Sequence, residues 1–497
     1  MSSTNSKGLT RRNLLQFSAG VAGYASLGLR PSFAAGKSDY DVVVIGAGLA
    51  GLNAAINLQD LGFSVKVIEG SERVGGRLYT APESEVPGHP EIGGNGIGSH
   101  YARIQYMAER FGVSLQGMRP RTEQEGDELL FHVNGKAIAS SDWATHSDNP
   151  FLQTAYAARP LNLQQYMIYA KDNPLPKGDL SAWRDSAYAD KDISVYDYLL
   201  KQGLSHEAIM LGFGKNMSYG VNPHDLSMMM GYQNDNLIRS LYSSQNATDV
   251  TIYSAKGGNQ RVPEAMATGL KQEIAFNQRV EAIRSNETGV QVDTASGHRF
   301  FARYCISSLP MPALRVVDVA PGFSPLQSEA VQELDYTPVV QVHFKVKQPY
   351  WEKDKMAPSM WTDRICGRFM ALKNDPADAE KVTSCVAFIN GQYAEYLDRY
   401  SVEATAQLVL QDLEAIRPSL RGAIEVIKVF SWGRSPFAGG AYAYWKPGQI
   451  NHFAKEMIKP CGRLHFAGEH TAVLNRGMEG AMESGERAAL EIAELLS

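Results

Sequence analysis

Gly46-Ala47-Gly48-Leu49-Ala50-Gly51 sets three glycines at a spacing that suits a phosphate-binding turn. Gly46 permits the tight turn, Gly48 lets backbone approach a pyrophosphate, and Gly51 lets a helix pack closely on a strand. Glu69, 18 residues beyond the last glycine, can accept hydrogen bonds from both hydroxyls of an adenosine ribose, and its charge repels a 2′-phosphate. The chemistry on offer is the holding of a dinucleotide. The flanking elements are legible too. Residues 39–45 form a short β-branched run, typical of a buried parallel strand. Residues 52–58 read as a helix stopped by Gly62, and residues 64–69 as the next strand.

Further glycine-led motifs sharpen this reading. Ser71-Glu72-Arg73-Val74-Gly75-Gly76-Arg77 follows the ribose acid, and Ile92-Gly93-Gly94-Asn95-Gly96-Ile97-Gly98 follows that. Near the other end, Arg463-Leu464-His465-Phe466-Ala467-Gly468-Glu469-His470-Thr471 reads as a strand entering a turn. Gly477-Met478-Glu479-Gly480-Ala481-Met482-Glu483-Ser484-Gly485 opens a last helix. Together these motifs resemble the flavin-containing amine oxidase family, which includes monoamine oxidase and L-amino-acid oxidase-like enzymes. The resemblance implies FAD. It places Gly76 and Arg77 along the pyrophosphate, Arg77 as a forked donor, and Gly94 and Asn95 in the loop beneath the flavin ring. It places Gly468 and Glu469 near the ribityl and phosphate, and the amides of Gly477 and Met478 near the flavin pyrimidine. A helix N-terminus there stabilises negative charge on reduced flavin.

The same resemblance organises the middle of the chain. Residues 253–263 resemble the family's return into the FAD domain, and residues 277–283 read as a strand placing Val280 by the adenine. The expected fold is α/β: a Rossmann-like FAD-binding domain, discontinuous over 38–115, 255–316 and 425–497, with an inserted α+β substrate-binding domain over 116–254 and 317–424. The first insert carries Trp143, Tyr156, Tyr166, Tyr169, Trp183 and Tyr188. Met228, Met229 and Met230 read as core, and Val402–Ile416 as a helix with one packed face.

For the reacting centre the resemblance points to Trp432-Gly433-Arg434-Ser435-Pro436-Phe437-Ala438-Gly439-Gly440-Ala441-Tyr442. Trp432 and Tyr442 match aromatic positions of a cage in front of the flavin, and Tyr442 offers a π face to an amine. Four departures stand out. Ala441 replaces the cysteine that bonds flavin in covalent members, so FAD is expected to be non-covalent. Gly477 leaves the second cage wall half open. Gln341 stands where the family usually has a lysine; it can hold a water but not a charge, which favours a dehydrogenase with another acceptor over an oxidase. Gly96 stands near where L-amino-acid oxidases carry a carboxylate-binding arginine, with Arg103 further on, which counts against a free amino acid. His100 is a weaker candidate and reads first as structural.

Composition narrows the rest. The 497 residues allow two or three domains. With 44% hydrophobic and 20% charged residues the chain is an ordinary globular one. A net charge of −5 argues against nucleic acid. Cys305, Cys366, Cys385 and Cys461 form no CxxC pair, so neither a zinc site nor a disulfide scaffold is expected, although the sequence leaves pairing open. Residues 1–34 resemble a twin-arginine export signal: Thr10-Arg11-Arg12-Asn13-Leu14-Leu15-Gln16, an apolar run over 17–29, then Ser32-Phe33-Ala34. Its removal takes Lys7, Arg11, Arg12 and Arg30 and brings the charge from −5 to −9. The expectation is an exported enzyme of the periplasm or beyond, loaded with cofactor before passage through the export machinery. It would oxidise a small-molecule amine or amino acid by hydride transfer to flavin N5, the imine then hydrolysing, and the half-open cage suits a bulkier or differently oriented substrate. Electrons would pass to O2 or a periplasmic acceptor, and a homodimer is a possible assembly. An L-amino-acid oxidase, a carotenoid-type desaturase or isomerase, and a non-catalytic flavoprotein remain as alternatives.

Overall fold

The computed structural model describes residues 38–118, 128–158, 172–214, 219–244, 252–375, 377–378 and 380–497, with no side-chain description over 241–244. The expected export signal, Tyr166 and Tyr169 lie outside the described residues. Residues 39–497 form one compact unit.

The β-branched start becomes the strand Tyr40–Ile45, with Val42, Val43 and Val44 fully buried. It lies between two parallel neighbours, Val65–Ile68 and Arg299–Ser307, with Val43 opposite Lys66 and Cys305. Arg299–Ser307 is shared along its length. Its first half pairs antiparallel with Val290–Thr294, and its second half pairs parallel with Leu464–Phe466. Val280–Ser285 and Asp318–Ala320 complete this sheet. A strand from near the end of the chain is thereby brought close to the first.

The helix Leu49–Asp60 follows the glycine turn with no side-chain cap, and Gly62 ends it at φ +95°. Its small residues allow the last helix, Gly477–Leu496, to cross it closely. A Cβ on Gly485 would stand 2.2 Å from the Ala50 carbonyl oxygen. The buried Asn53 amide donates across the same crossing to the Met482 carbonyl at 2.7 Å.

A second sheet has the order Ile424–Ser431, Val339–Val346, Ser384–Asn390, Arg368–Leu372, Met360–Thr362, Leu130–Val133 and Lys136–Ala139. The helix Val402–Ile416 buries Val409, Leu413 and Ile416 against it, the packed face its spacing predicts. Met228, Met229 and Met230 are core as expected. Two elements lie across the expected segment divisions. Ile424–Ser431 pairs with Val339–Val346 and so belongs to the second sheet, whereas Asp318–Ala320 pairs with Val280–Ser285 in the first. The four cysteines are buried, and none forms a disulfide among the described residues.

Candidate active site

A cavity of about 390 Å³ runs from the first glycine turn to the junction of the two sheets. Its wall takes Gly46, Gly48, Glu69, Gly76, Arg77, Gly94, Val280, Gly468, Glu469, Gly477 and Met478 from the expected cofactor residues. It also takes Gln341, Trp432 and Tyr442 from the expected catalytic ones. Gly51 and Asn95 are off the wall. Gly51 works in packing, since a Cβ there would stand 2.0 Å from the Gly46 oxygen. Asn95 anchors its loop: its carbonyl and that of Gly94 accept from the fully buried Asn259 amide at 2.5 and 3.0 Å. Sequence reasoning missed Ser308, whose hydroxyl donates to the Ile45 carbonyl at 2.7 Å behind Gly46, and Gln278 and Arg279 beside Val280.

Glu69 is buried and already employed. One carboxylate oxygen accepts from the Ala47 N–H, the other from the N–H and hydroxyl of Ser71, all at 2.8 Å. A carboxylate has about four acceptor positions, so capacity remains for a ribose hydroxyl. Both the helix after Gly48 and the helix after Arg476 open on the cavity with no side-chain cap, leaving N-terminal amides for anionic oxygens. Gly48 faces Gly75 and Gly76 across a gap that a Cβ would narrow to 3.9 Å. These features fit the adenosine and diphosphate of a dinucleotide.

Arg77 is not a free fork. Its Nη1 donates to the Ala441 carbonyl and to Glu469, both at 2.8 Å. Burial opposes the charge of Arg77, but Glu469, with Tyr336 and Tyr442, more than offsets this and holds the guanidinium pKa above its ordinary value. Glu469 also accepts from the Ala443 N–H at 3.0 Å, so this pair ties the first glycine loops to the loop bearing Tyr442. That loop is pinned on its other side as well: the Ala441 and Thr337 N–H groups exchange bonds at 2.9 and 2.8 Å with the Thr337 and Tyr442 carbonyls.

The floor is assembled from distant segments. A Cβ on Gly94 would meet Leu78 at 2.7 Å and the Met478 sulfur at 3.0 Å, so the second glycine run lies against the start of the last helix. The Ile92 carbonyl accepts both the Trp432 indole N–H at 2.9 Å and the Gln341 amide at 2.7 Å, while the Gln341 oxygen bonds His343 at 3.0 Å. Gln341 thus keeps one N–H and one acceptor position for a water.

At the aromatic end Tyr442 packs on Tyr219, ring centroids 5.2 Å apart. Gly477 adopts φ +57°, and the atom nearest to an added Cβ is the Tyr101 hydroxyl at 3.9 Å. Tyr101 and Tyr219 therefore stand around the wall that Gly477 leaves open. No spacing links residues 101, 219 and 442, so only the fold reveals the cluster. His100 packs edge-on against Tyr101 at 4.6 Å. A side chain at Gly96 would begin 2.8 Å from Ile252, and Arg103 is held by Glu479 at 3.2 Å and Glu486 at 2.7 Å. Neither position presents a free cation to the cavity.

Fold and cavity define a dinucleotide-binding protein whose cavity ends beside aromatic side chains at the junction of two sheets. The model for flavin containing amine oxidoreductases matches residues 49–493, and the chain belongs to that family. It is 27% identical to an L-amino-acid oxidase of Siganus canaliculatus and 26% identical to a flavin-containing amine oxidase of Danio rerio. Each match covers 91% of this chain and 85% of the relative. Among solved structures it shares its fold with cyclohexylamine oxidase from Brevibacterium oxydans IH-35A (TM-score 0.71, 20% identity) and with a putrescine oxidase bound to putrescine (TM-score 0.69, 21% identity). Both alignments cover 92% of this chain and 99% of the other.

Proposed function

We propose that the chain oxidises the C–N bond of an amine to an imine, which hydrolyses in water to a carbonyl compound. Bound flavin supplies the hydride acceptor. The chain's own residues hold and orient. Glu69 and Val280 take the adenosine end, the two uncapped helix starts take the diphosphate and pyrimidine ends, and Tyr442 and Trp432 wall the chamber in which the neutral amine lies. The observation that carries this reading is the convergence of Gly48, Gly94, Gly468 and Met478 on one cavity that ends at Tyr442. FAD is held without a covalent bond in this reading, because Ala441 offers only a methyl group. The electron acceptor is O2 or a periplasmic carrier, and the leader at residues 1–34 sends the folded holoenzyme out of the cytoplasm.

Amino-acid oxidation by the same chemistry is the second reading, favoured by the name of the fish relative. Anaerobic mixing of the purified holoenzyme with a panel of amines and amino acids tests both. Bleaching of the flavin by amines supports the first, and bleaching by amino acids alone supports the second. If no member of either group bleaches it, both are wrong.

A further inference from the structure

Strand alternation sets a second cavity behind the first. Val339–Val346 and Ile424–Ser431 are neighbours, with Gln341 opposite Phe430 and Val340 opposite Ser431. Successive side chains on a strand point to opposite faces of a sheet. Gln341 and Phe430 accordingly line the main cavity. Val340, Val429 and Ser431 line another, of about 340 Å³, on the face where the helix Val402–Ile416 packs. Phe430 lies on the edge strand and lines both, as do Ser435 and Pro436. Its ring packs on Trp432 with centroids 4.8 Å apart, so the two cavities share one aromatic partition.

The second cavity has a polar corner. Asp398 Oδ1 accepts from the Ser431 hydroxyl at 2.6 Å. A Cβ on Gly433 would stand 2.3 Å from Asp398 Oδ2, so the glycine after Trp432 makes room for the carboxylate. Burial raises the Asp398 pKa, helped by Glu395 and opposed by Ser431 and Arg434, so the group takes up a proton more readily than an exposed carboxylate. Arg434 also lines this cavity; its Nη1 donates to the Tyr400 carbonyl at 2.9 Å, which leaves other N–H groups for a ligand. The remaining walls are largely apolar, and Val402, 44% exposed, stands at the mouth. Apolar walls with a few convergent polar groups are the usual make-up of a small-molecule site. A cation entering here would meet Arg434, and an anion would meet Asp398. The ligand that fits is neutral and apolar, accepts a hydrogen bond and exchanges protons.

We infer that the second cavity binds a quinone, which draws electrons from the main cavity across the Phe430 partition. This rests on the main cavity holding flavin, and it names the electron acceptor for that site. The quinone gains two electrons and two protons and leaves as the hydroquinone. The electrons come from the cofactor that amine oxidation has reduced, which loses one proton as it returns to its oxidised form. The two protons come from water by way of Asp398, so one more is taken up than is released. Arg434 donates to a quinone carbonyl oxygen.

The probe is menadione, a naphthoquinone. Purified holoenzyme is reduced anaerobically by light and EDTA, so that no amine is needed. It is then mixed with menadione, or with ferricyanide, a charged acceptor that requires no pocket. The rate with menadione should saturate, and menadione should bind the oxidised holoenzyme in equilibrium dialysis. Val402→Trp, which fills the mouth, should weaken that binding and raise the half-saturating concentration at least tenfold, with the ferricyanide rate within twofold of native. Asp398→Asn keeps the shape of the site; it should bind menadione within threefold of native and be reoxidised by it at least tenfold more slowly. Should Val402→Trp not fold, Asp398→Asn carries the test. Menadione that neither binds nor reoxidises the enzyme, or native behaviour of either folded variant, overturns the inference while leaving amine oxidation intact. A protein that purifies without flavin and takes up none defeats the reading of the main cavity instead.

Discussion

His470 ties stability to acid pH through one buried imidazole. Its Nδ1 is buried with no hydrogen-bond partner among the described residues. Burial first, then the guanidinium groups of Arg77 and Arg487, push its pKa down to about 3. The unfolded chain binds that proton near pH 6.5. Between about pH 3 and pH 6.5 the unfolded state therefore holds more protons, and stability falls as the pH drops through that window. From pH 7 to pH 5 the loss from this one imidazole is about 2 kcal/mol, at 1.36 kcal/mol per pKa unit. Unfolding free energies from urea titrations of native protein and His470→Gln at both pH values should show the gap between them shifting by that amount in favour of the variant at pH 5. A gap independent of pH removes His470 as the cause. At this scale the sequence revealed residues that share one continuous run of motifs: Gly46, Gly48, Glu69 and Arg77. Tyr101 and Tyr219 escaped it because their contacts with Gly477 and Tyr442 join segments more than a hundred residues apart, which no periodicity encodes.

Two helices carry the cofactor end of the cavity, and their crossing is set by a glycine. A methyl group on Gly485 would meet the Ala50 backbone, its carbonyl oxygen at 2.2 Å, and backbone cannot swing aside as a side chain can. Overpacking of this kind costs about 1–3 kcal/mol. It would also separate the two helix starts that line the cavity. Gly485→Ala is expected to lower the urea midpoint and to purify with a reduced flavin-to-protein absorbance ratio. Native values for both would show that the crossing tolerates the methyl group. Individual elements were readable where the local pattern was strong, as in Tyr40–Ile45 and Val402–Ile416. Sheet membership was not. Ile424–Ser431 is mostly half-buried along its length, so its pattern names no face, and only its pairing with Val340 to Val346 decides which sheet it joins.

Taken whole, the molecule encloses its cavity without offering it a nucleophilic sulfur. None of the four cysteines lines the wall, and Ala441 occupies the place nearest Tyr442. Acid precipitation of the purified enzyme should leave the yellow colour in the supernatant; colour retained in the pellet would contradict non-covalent binding. The sequence made the class of molecule legible because its sharpest motifs lie at the two ends, and the fold brings those ends together through Arg299–Ser307, which pairs with both Tyr40–Ile45 and Leu464–Phe466. This pairing also governs timing. A ribosome builds Tyr40–Ile45 long before Leu464–Phe466, so a nascent chain still lacking Gly468 to Ala481 possesses half a container, and a message cut short ahead of Gly468 would yield an open shell.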